Sequence, residues 1–459
     1  MTEYKKTFKA LFFFALPIIL STMISSASSF ISMLLMAQIN SDALAAGALI
    51  TSTYGLFIMM VISFLYSVSI LIGQSKGRGC DSDIGHIISS GIVLVFMMSI
   101  PLSYIFLNLT PILQLLHQPP NVSLLVGEYF HGLAYGLIPS LMGAVFTQFF
   151  LGIGKARISL FVAMIGILVN SAVSYILIFG YGSIKPLGVF GAGLASSITA
   201  FVLLALVSIY ICFSAQFKPY QIKLNTLFSL KYCKLLTQMG IPISMQYTLE
   251  LLAFSAITYL MGIIGTESLA AQQIILQCSM FSIMVIMGLS QAGSILVSHN
   301  MGKNAPLDRM IICKTTLLFG ALIMFVVGLC YWQFSEQIIS FYVDTQNPSL
   351  DSIVLTAKTF LIIAAFTQFF DAGRNIAAGL LRGYGDTKTS MWTGLVSCWV
   401  IGIPLSIVIA FPCGFGGPGL RFGILVGIFY GCMRLIKQLS RIKERNYFVT
   451  QYKAIGDLS

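Results

Sequence analysis

PIILSTMISSASSFISMLLMAQINSDALAAGALI (17–50) and PISMQYTLELLAFSAITYLMGIIGTESLAAQQII (242–275) are two copies of one pattern. A shift of 225 residues lays Pro17–Gly77 onto Pro242–Gly302 without a gap. Pro17-Ile18 falls on Pro242-Ile243, Met36 on Met261, and Leu44-Ala45-Ala46 on Leu269-Ala270-Ala271. Ser69-Ile70-Leu71 falls on Ser294-Ile295-Leu296. Further along the register becomes 231, placing Gly152-Ile153-Gly154 on Gly383-Tyr384-Gly385, so the six extra residues are expected in the outer loop near 335–352.

The repeated unit is made of long apolar runs. About 20 residues at ~1.5 Å each cross a ~30 Å hydrocarbon core, and backbone groups in lipid must bond within their own helix. Twelve such runs are read at 11–36, 46–72, 88–108, 124–151, 158–179, 189–213, 239–263, 270–297, 314–332, 353–381, 389–411 and 419–436. They are continuous, unlike the alternating ten-residue segments of a membrane β-barrel. The fold class predicted is an all-α membrane protein of twelve helices in two pseudo-symmetric six-helix lobes. The division expected is 1–213 for the first lobe, 214–236 for a connecting loop and 237–459 for the second lobe with its tail. Six is an even number, so both lobes enter the membrane the same way round, an arrangement suited to alternating access.

Composition agrees. Only 9% of the 459 residues are charged against 57% hydrophobic, and the mean hydropathy is +0.91. A soluble domain carries roughly 25% charged residues. The net charge of +11 is read through the positive-inside rule rather than as a nucleic-acid footprint. With the N-terminus inside, one face collects Lys5, Lys6, Lys9, Lys76, Arg78, Lys155, Arg157, Lys218, Lys223, Lys231, Lys234, Lys303, Arg309, Arg382 and Lys388. The tail adds Lys437, Arg441, Lys443 and Arg445, whereas 109–123 and 333–352 contain no Lys or Arg. Both termini are expected to be cytoplasmic, and the first apolar run is read as a membrane helix rather than a signal peptide. The nine cysteines and four histidines show no metal-ligand spacing. No nucleophile–base constellation is visible, so an enzyme is not expected.

Inside hydrocarbon a carboxylate costs roughly 2.5–3.5 kcal/mol on insertion scales, so each buried acid asks for a reason. Glu250 lies eleven residues past Met239, and Asp371 eleven residues before Arg382, each about 16 Å along its helix. Both sit near the midplane, and the repeat counterpart of Glu250 is Ser25. One reading makes them the binding site of a proton or sodium ion; the other makes them structural hydrogen-bonding groups. Arg374, three residues after Asp371, either pairs with that acid or reaches toward the headgroups about 12 Å away. Of the polar residues within the helices, Gln273 is singled out as a candidate to face a substrate cavity.

The stretches PISMQYTLELLAF…GTESLAAQQI and FFDAGRNIAAGLLRGYGDTK (369–388) resemble the seventh and tenth helices of the MATE (multidrug and toxic compound extrusion) transporters. ALPIILS…SDALAAGAL, LGIGKARISL and LGVFGAGLAS match as well, so the resemblance spans nearly the whole chain and is greatest to the bacterial NorM-like branch. It implies an antiporter in the plasma (bacterial inner) membrane that expels cationic, amphipathic organic molecules against sodium or protons. No cofactor is implied beyond that ion, and the partners are small-molecule substrates and lipid; a monomer is expected. Carried over by position, the resemblance makes Glu250 and Asp371 cation-coupling residues, the place of a possible sodium. Phe254 and Gln273 fall in the neighbouring cation or substrate region. Where the NorM-like first helix has an acid followed five residues later by Gly, this chain has Ser32 and Ala37. Arg374 is an added charge. The alternative function is a lipid or lipid-linked oligosaccharide flippase of the same superfamily, but such proteins gather several basic residues for phosphates, whereas one arginine and two acids stand here.

Overall fold

Long apolar sequence becomes long helix throughout the computed structural model, which describes residues 2–220, 229–343 and 351–442. Lys223, Lys443 and Arg445 of the expected inner-face charges lie outside the described residues, as do parts of the loops 214–236 and 333–352. The helices of the first half of the chain are α1 (Thr2–Ala37), α2 (Ser41–Arg78), α3 (Asp81–Leu107), the short α4 (Leu109–Leu115), α5 (Pro120–Ala134), α6 (Leu137–Gly152), α7 (Ala156–Phe179) and α8 (Gly188–Phe213). The second set is α9 (Leu230–Ile264), α10 (Thr266–Gly302), α11 (Pro306–Gln333), the short α12 (Ser335–Ser340), α13 (Asp351–Gly383), α14 (Thr387–Leu395), α15 (Ile403–Ala410) and α16 (Gly416–Ile442). A π-helical turn, Val396–Gly402, joins α14 to α15 into one span. Among the described residues, eleven spans are long and apolar enough to cross a membrane, and the bent pair α5–α6, taken as one span, makes twelve.

The repeat survives in the helix boundaries. Pro120 opens α5 and Asp351 opens α13, 231 residues apart. Leu107 closes α3 and Gln333 closes α11, 226 apart, so the register changes between Gln333 and Asp351. By packing, Leu16–Ser244 forms one compact unit, and Met1–Ala15 with Met245–Ser459 forms the other. The cuts fall inside α1 and α9, beside Pro17 and Pro242.

Each unit has its own apolar core. In the first, Val68, Ile72, Ile88, Val126, Phe130, Val145 and Phe149 pack together. Phe217 and Tyr220 of the turn Ala215–Tyr220 join that core. Lys155 and Lys76 stand over those two rings at 5.3 and 5.1 Å, so this start of the connecting segment is held by cation–π contacts as well as burial. In the second, Ile257, Met261, Ile275, Phe360, Leu361, Leu420 and Ile424 form the core.

One asymmetry between the halves has its cause in a contact between helices. The expected span 124–151 is broken by 60° between α5 and α6, while its counterpart α13 runs unbroken. At the break, Gly136 donates its N–H to Ser197 Oγ at 2.8 Å, and that hydroxyl donates to the Gly132 carbonyl at 2.6 Å. Ser197 on α8 thus satisfies the groups that the bend frees. Matching Gly191-x-Gly193-Leu194 to Gly417-x-Gly419-Leu420 places Gly423 where Ser197 stands, and a glycine has no hydroxyl to insert.

Candidate functional site

Glu250, which is buried, and Asp371, which is partly buried, come together through Arg374. Glu250 extends from the middle of α9 and Asp371 from α13, and the Arg374 guanidinium lies between them. Its Nε and Nη2 donate to Asp371 Oδ1 at 3.0 and 2.6 Å. Nη2 also donates to Glu250 Oε2 at 3.1 Å, and Nη1 donates to Glu250 Oε1. The Arg374 side chain is 1% exposed, which decides between the two readings of this residue: it pairs inward and does not reach for headgroups.

Helix geometry sets up much of this. Asp371, Arg374 and Asn375 are spaced i, i+3, i+4 and share one face of α13. Asn375 Nδ2 donates to Asp371 Oδ2 at 2.9 Å. Gln246, one turn before Glu250 on α9, donates Nε2 to Glu250 Oε1 at 3.1 Å. All four carboxylate oxygens therefore accept from nitrogen. Two glycines leave the room for this cluster. A Cβ on Gly394 would stand 2.9 Å from Glu250 Oε1, and one on Gly431 would stand 3.0 Å from Arg374 Cδ. Just past Gly394 the chain enters the π-helical turn, from which Trp399 Nε1 donates to the Leu249 carbonyl at 2.9 Å. Single π turns within helices are frequent at functional positions.

Two carboxylates and one guanidinium leave one formal negative charge in a buried place. Such a cluster is held by its completeness, since taking charges out of water costs several kcal/mol per ion and only good geometry offsets it. Chemically it is a pair of carboxylates sharing one tethered cation, with one carboxylate charge left over. Sequence reasoning passed over Asn375 and Gly394; Asn375 was within reach, because it sits one helical turn from a buried acid. Gln246 serves the acid on its own helix.

The other singled-out residues lie elsewhere. Ser32 belongs to the unit Leu16–Ser244 and is buried, donating to Asn170 Oδ1 at 3.0 Å. Ser28 donates to the same oxygen at 3.3 Å, and Asn170 Nδ2 reaches Thr199 Oγ1 at 3.5 Å. Where the NorM-like pattern has an acid, this chain has a neutral hydroxyl–amide cluster. Phe254 is half-buried one turn after Glu250, against the second unit's core. Gln273 is exposed and lines a cavity of about 500 Å³ with Ala270, Ile274, Gln277, Tyr342, Val343 and Ile353.

A family model described as MatE matches residues 17–176 and 242–408. The chain belongs to the MatE family. The two matched segments begin at Pro17 and Pro242, the first residues of the repeat. Among the relatives, the multidrug resistance protein NorM of Burkholderia vietnamiensis is 30% identical over 417 residues, covering 90% of this chain and 89% of its own. The probable multidrug resistance protein NorM of Rhizobium meliloti is 29% identical over 443 residues, 95% of this chain and 94% of its own. This MATE chain also has the fold of the Vibrio cholerae MATE transporter VcmN in its bent form, with a TM-score of 0.86 at 16% identity over 97% of this chain and 98% of that one. It is thus a NorM-like MATE transporter with the twelve-helix fold.

Proposed function

We propose that this chain is a cation-coupled antiporter that exports organic, cationic amphipathic molecules. The observation that carries the reading is the buried Glu250–Arg374–Asp371 cluster, with its single uncompensated negative charge. Intramembrane ionisable groups face the bundle interior and mark ion or proton pathways. The names of the NorM relatives, multidrug resistance proteins, support the export of organic compounds. A coupling cation, sodium or a proton, competes with the Arg374 guanidinium for the carboxylates, so its arrival and departure change how α9 and α13 are tied together. The basic face is cytoplasmic, both termini are inside, and the membrane is the plasma (bacterial inner) membrane; the Lys and Arg asymmetry of the loops supports that orientation. The protein acts as a monomer with no cofactor other than the ion.

The test is transport of a fluorescent cation by reconstituted vesicles under sodium and proton gradients imposed separately. Glu250→Gln is expected to abolish uphill transport while the protein remains inserted and monodisperse. A Glu250→Gln variant that still drives the dye uphill sinks the coupling role of this cluster.

A further inference from the structure

Arg382, counted by sequence among the surface cations of the basic face, is 3% exposed. It ends α13, eleven residues beyond Asp371, and its charge suits the carbonyl end of that helix. Its two terminal nitrogens reach two other helices. Nη1 donates to the Tyr247 hydroxyl on α9 at 2.9 Å, and the guanidinium carbon stands 5.1 Å from the centre of that ring. Nη2 donates to Ser290 Oγ on α10 at 3.3 Å.

Both contacts lead back to the acids. Ser290 Oγ donates to the Asn375 carbonyl at 2.7 Å, and Asn375 holds Asp371 Oδ2. Tyr247 lies three residues before Glu250, on the same face of α9. The close approach that lets Ser290 reach α13 is built in: a Cβ on Gly379 would stand 2.1 Å from Ser290 Oγ, and one on Gly383 would stand 2.5 Å from the Ser294 carbonyl. Small residues at this spacing are how membrane helices bring their backbones together.

We infer that Arg382 is a positioning residue for the acid cluster: through Tyr247 and through Ser290 with Asn375, it fixes the turns of α9 and α13 that carry Glu250 and Asp371. This rests on the cluster being the coupling-cation site. Removing the guanidinium leaves both carboxylates in place but frees their supporting turns, so the cation affinity changes before the fold does. Tyr247→Phe and Ser290→Ala each cut one arm.

Trp399 offers a readout separate from transport, because its indole bonds to the residue preceding Glu250. The chain has three tryptophans, so Trp332→Phe with Trp392→Phe leaves Trp399 as the sole reporter. Purified protein is titrated with sodium at fixed pH and with pH at fixed sodium, following its fluorescence. The midpoint for whichever cation gives a response is expected to move about threefold or more in Arg382→Gln and in Ser290→Ala. Arg382→Lys, keeping the charge on a single donor nitrogen, should bring the midpoint part of the way back, and unfolding midpoints should change little. Midpoints in Arg382→Gln, Tyr247→Phe and Ser290→Ala that coincide with the parent's overturn the positioning role while leaving the site standing. A parent that responds to neither cation removes the cation site, and this inference with it.

Discussion

Arg374 is the residue on which the buried chemistry turns, because it converts two carboxylates that would repel into a cluster each member of which needs the others. Breaking a buried ion pair by removing one partner typically costs about 3–5 kcal/mol, since it strands a charge. Arg374→Gln is therefore expected to lower the detergent-solubilised unfolding midpoint more than Glu250→Gln does, as it strands two acids rather than none. Glu250→Gln/Arg374→Gln should recover part of that loss. A double-mutant cycle whose two losses simply add would show that the pair contributes nothing through its contact. Arg421 makes the opposite case. It is buried in α16, its Nε and Nη2 without hydrogen-bond partners among the described residues, and its guanidinium carbon stands 5.5 Å from the centre of the Phe360 ring. An unsatisfied buried group costs about 1–3 kcal/mol, more when charged. Arg421→Leu is expected to raise the unfolding midpoint, and a lowered midpoint would mean that the guanidinium has a partner in the membrane.

Elements show where sequence carries structure and where it does not. The twelve spans were legible because an apolar run long enough to cross lipid has one way to satisfy its backbone. The break between α5 and α6 was not, because its cause, Ser197, lies 61 residues from Gly136 in sequence and acts across helices. The same distinction holds in the site. Glu250 and Asp371 stood out as acids in apolar surroundings, and the spacing of Arg374 from Asp371 was visible. The direction of Arg374 was not, because pairing and snorkelling use the same position on a helix, and the deciding partner, Glu250, is 124 residues away. The bend yields its own test. A Cβ on Gly136 would stand 2.3 Å from Ser197 Cα, a backbone atom, so α8 would have to move. Gly136→Ala is expected to lower the yield of folded protein sharply, whereas Gly55→Ala, which meets nothing within 4 Å, should leave it unchanged. Equal yields for the two would show that α5–α6 accommodates a side chain at the bend.

Across the whole molecule, the repeat duplicates the scaffold and leaves the buried acid–base cluster single. Glu250, Asp371 and Arg374 have Ser25, Ser140 and Gly143 as their repeat counterparts, so the first half offers no charge at any of the three places. Its polar centre is Ser32 with Ser28, Asn170 and Thr199, all neutral groups bonded to one another. None of these groups carries a negative charge to balance that of a bound cation. One unit is therefore expected to carry all the cation dependence. Ser32→Ala and Asn170→Ala should leave the sodium and pH dependence of transport superimposable on the parent's, even where they alter the rate or the dye affinity. Glu250→Gln in the same assay should erase that dependence. The measurement is initial rate against each cation gradient in reconstituted vesicles. A shift of either cation profile in Asn170→Ala would place part of the coupling in the first unit, and the loss of an acid at Ser32 would then have been compensated by its amide neighbour.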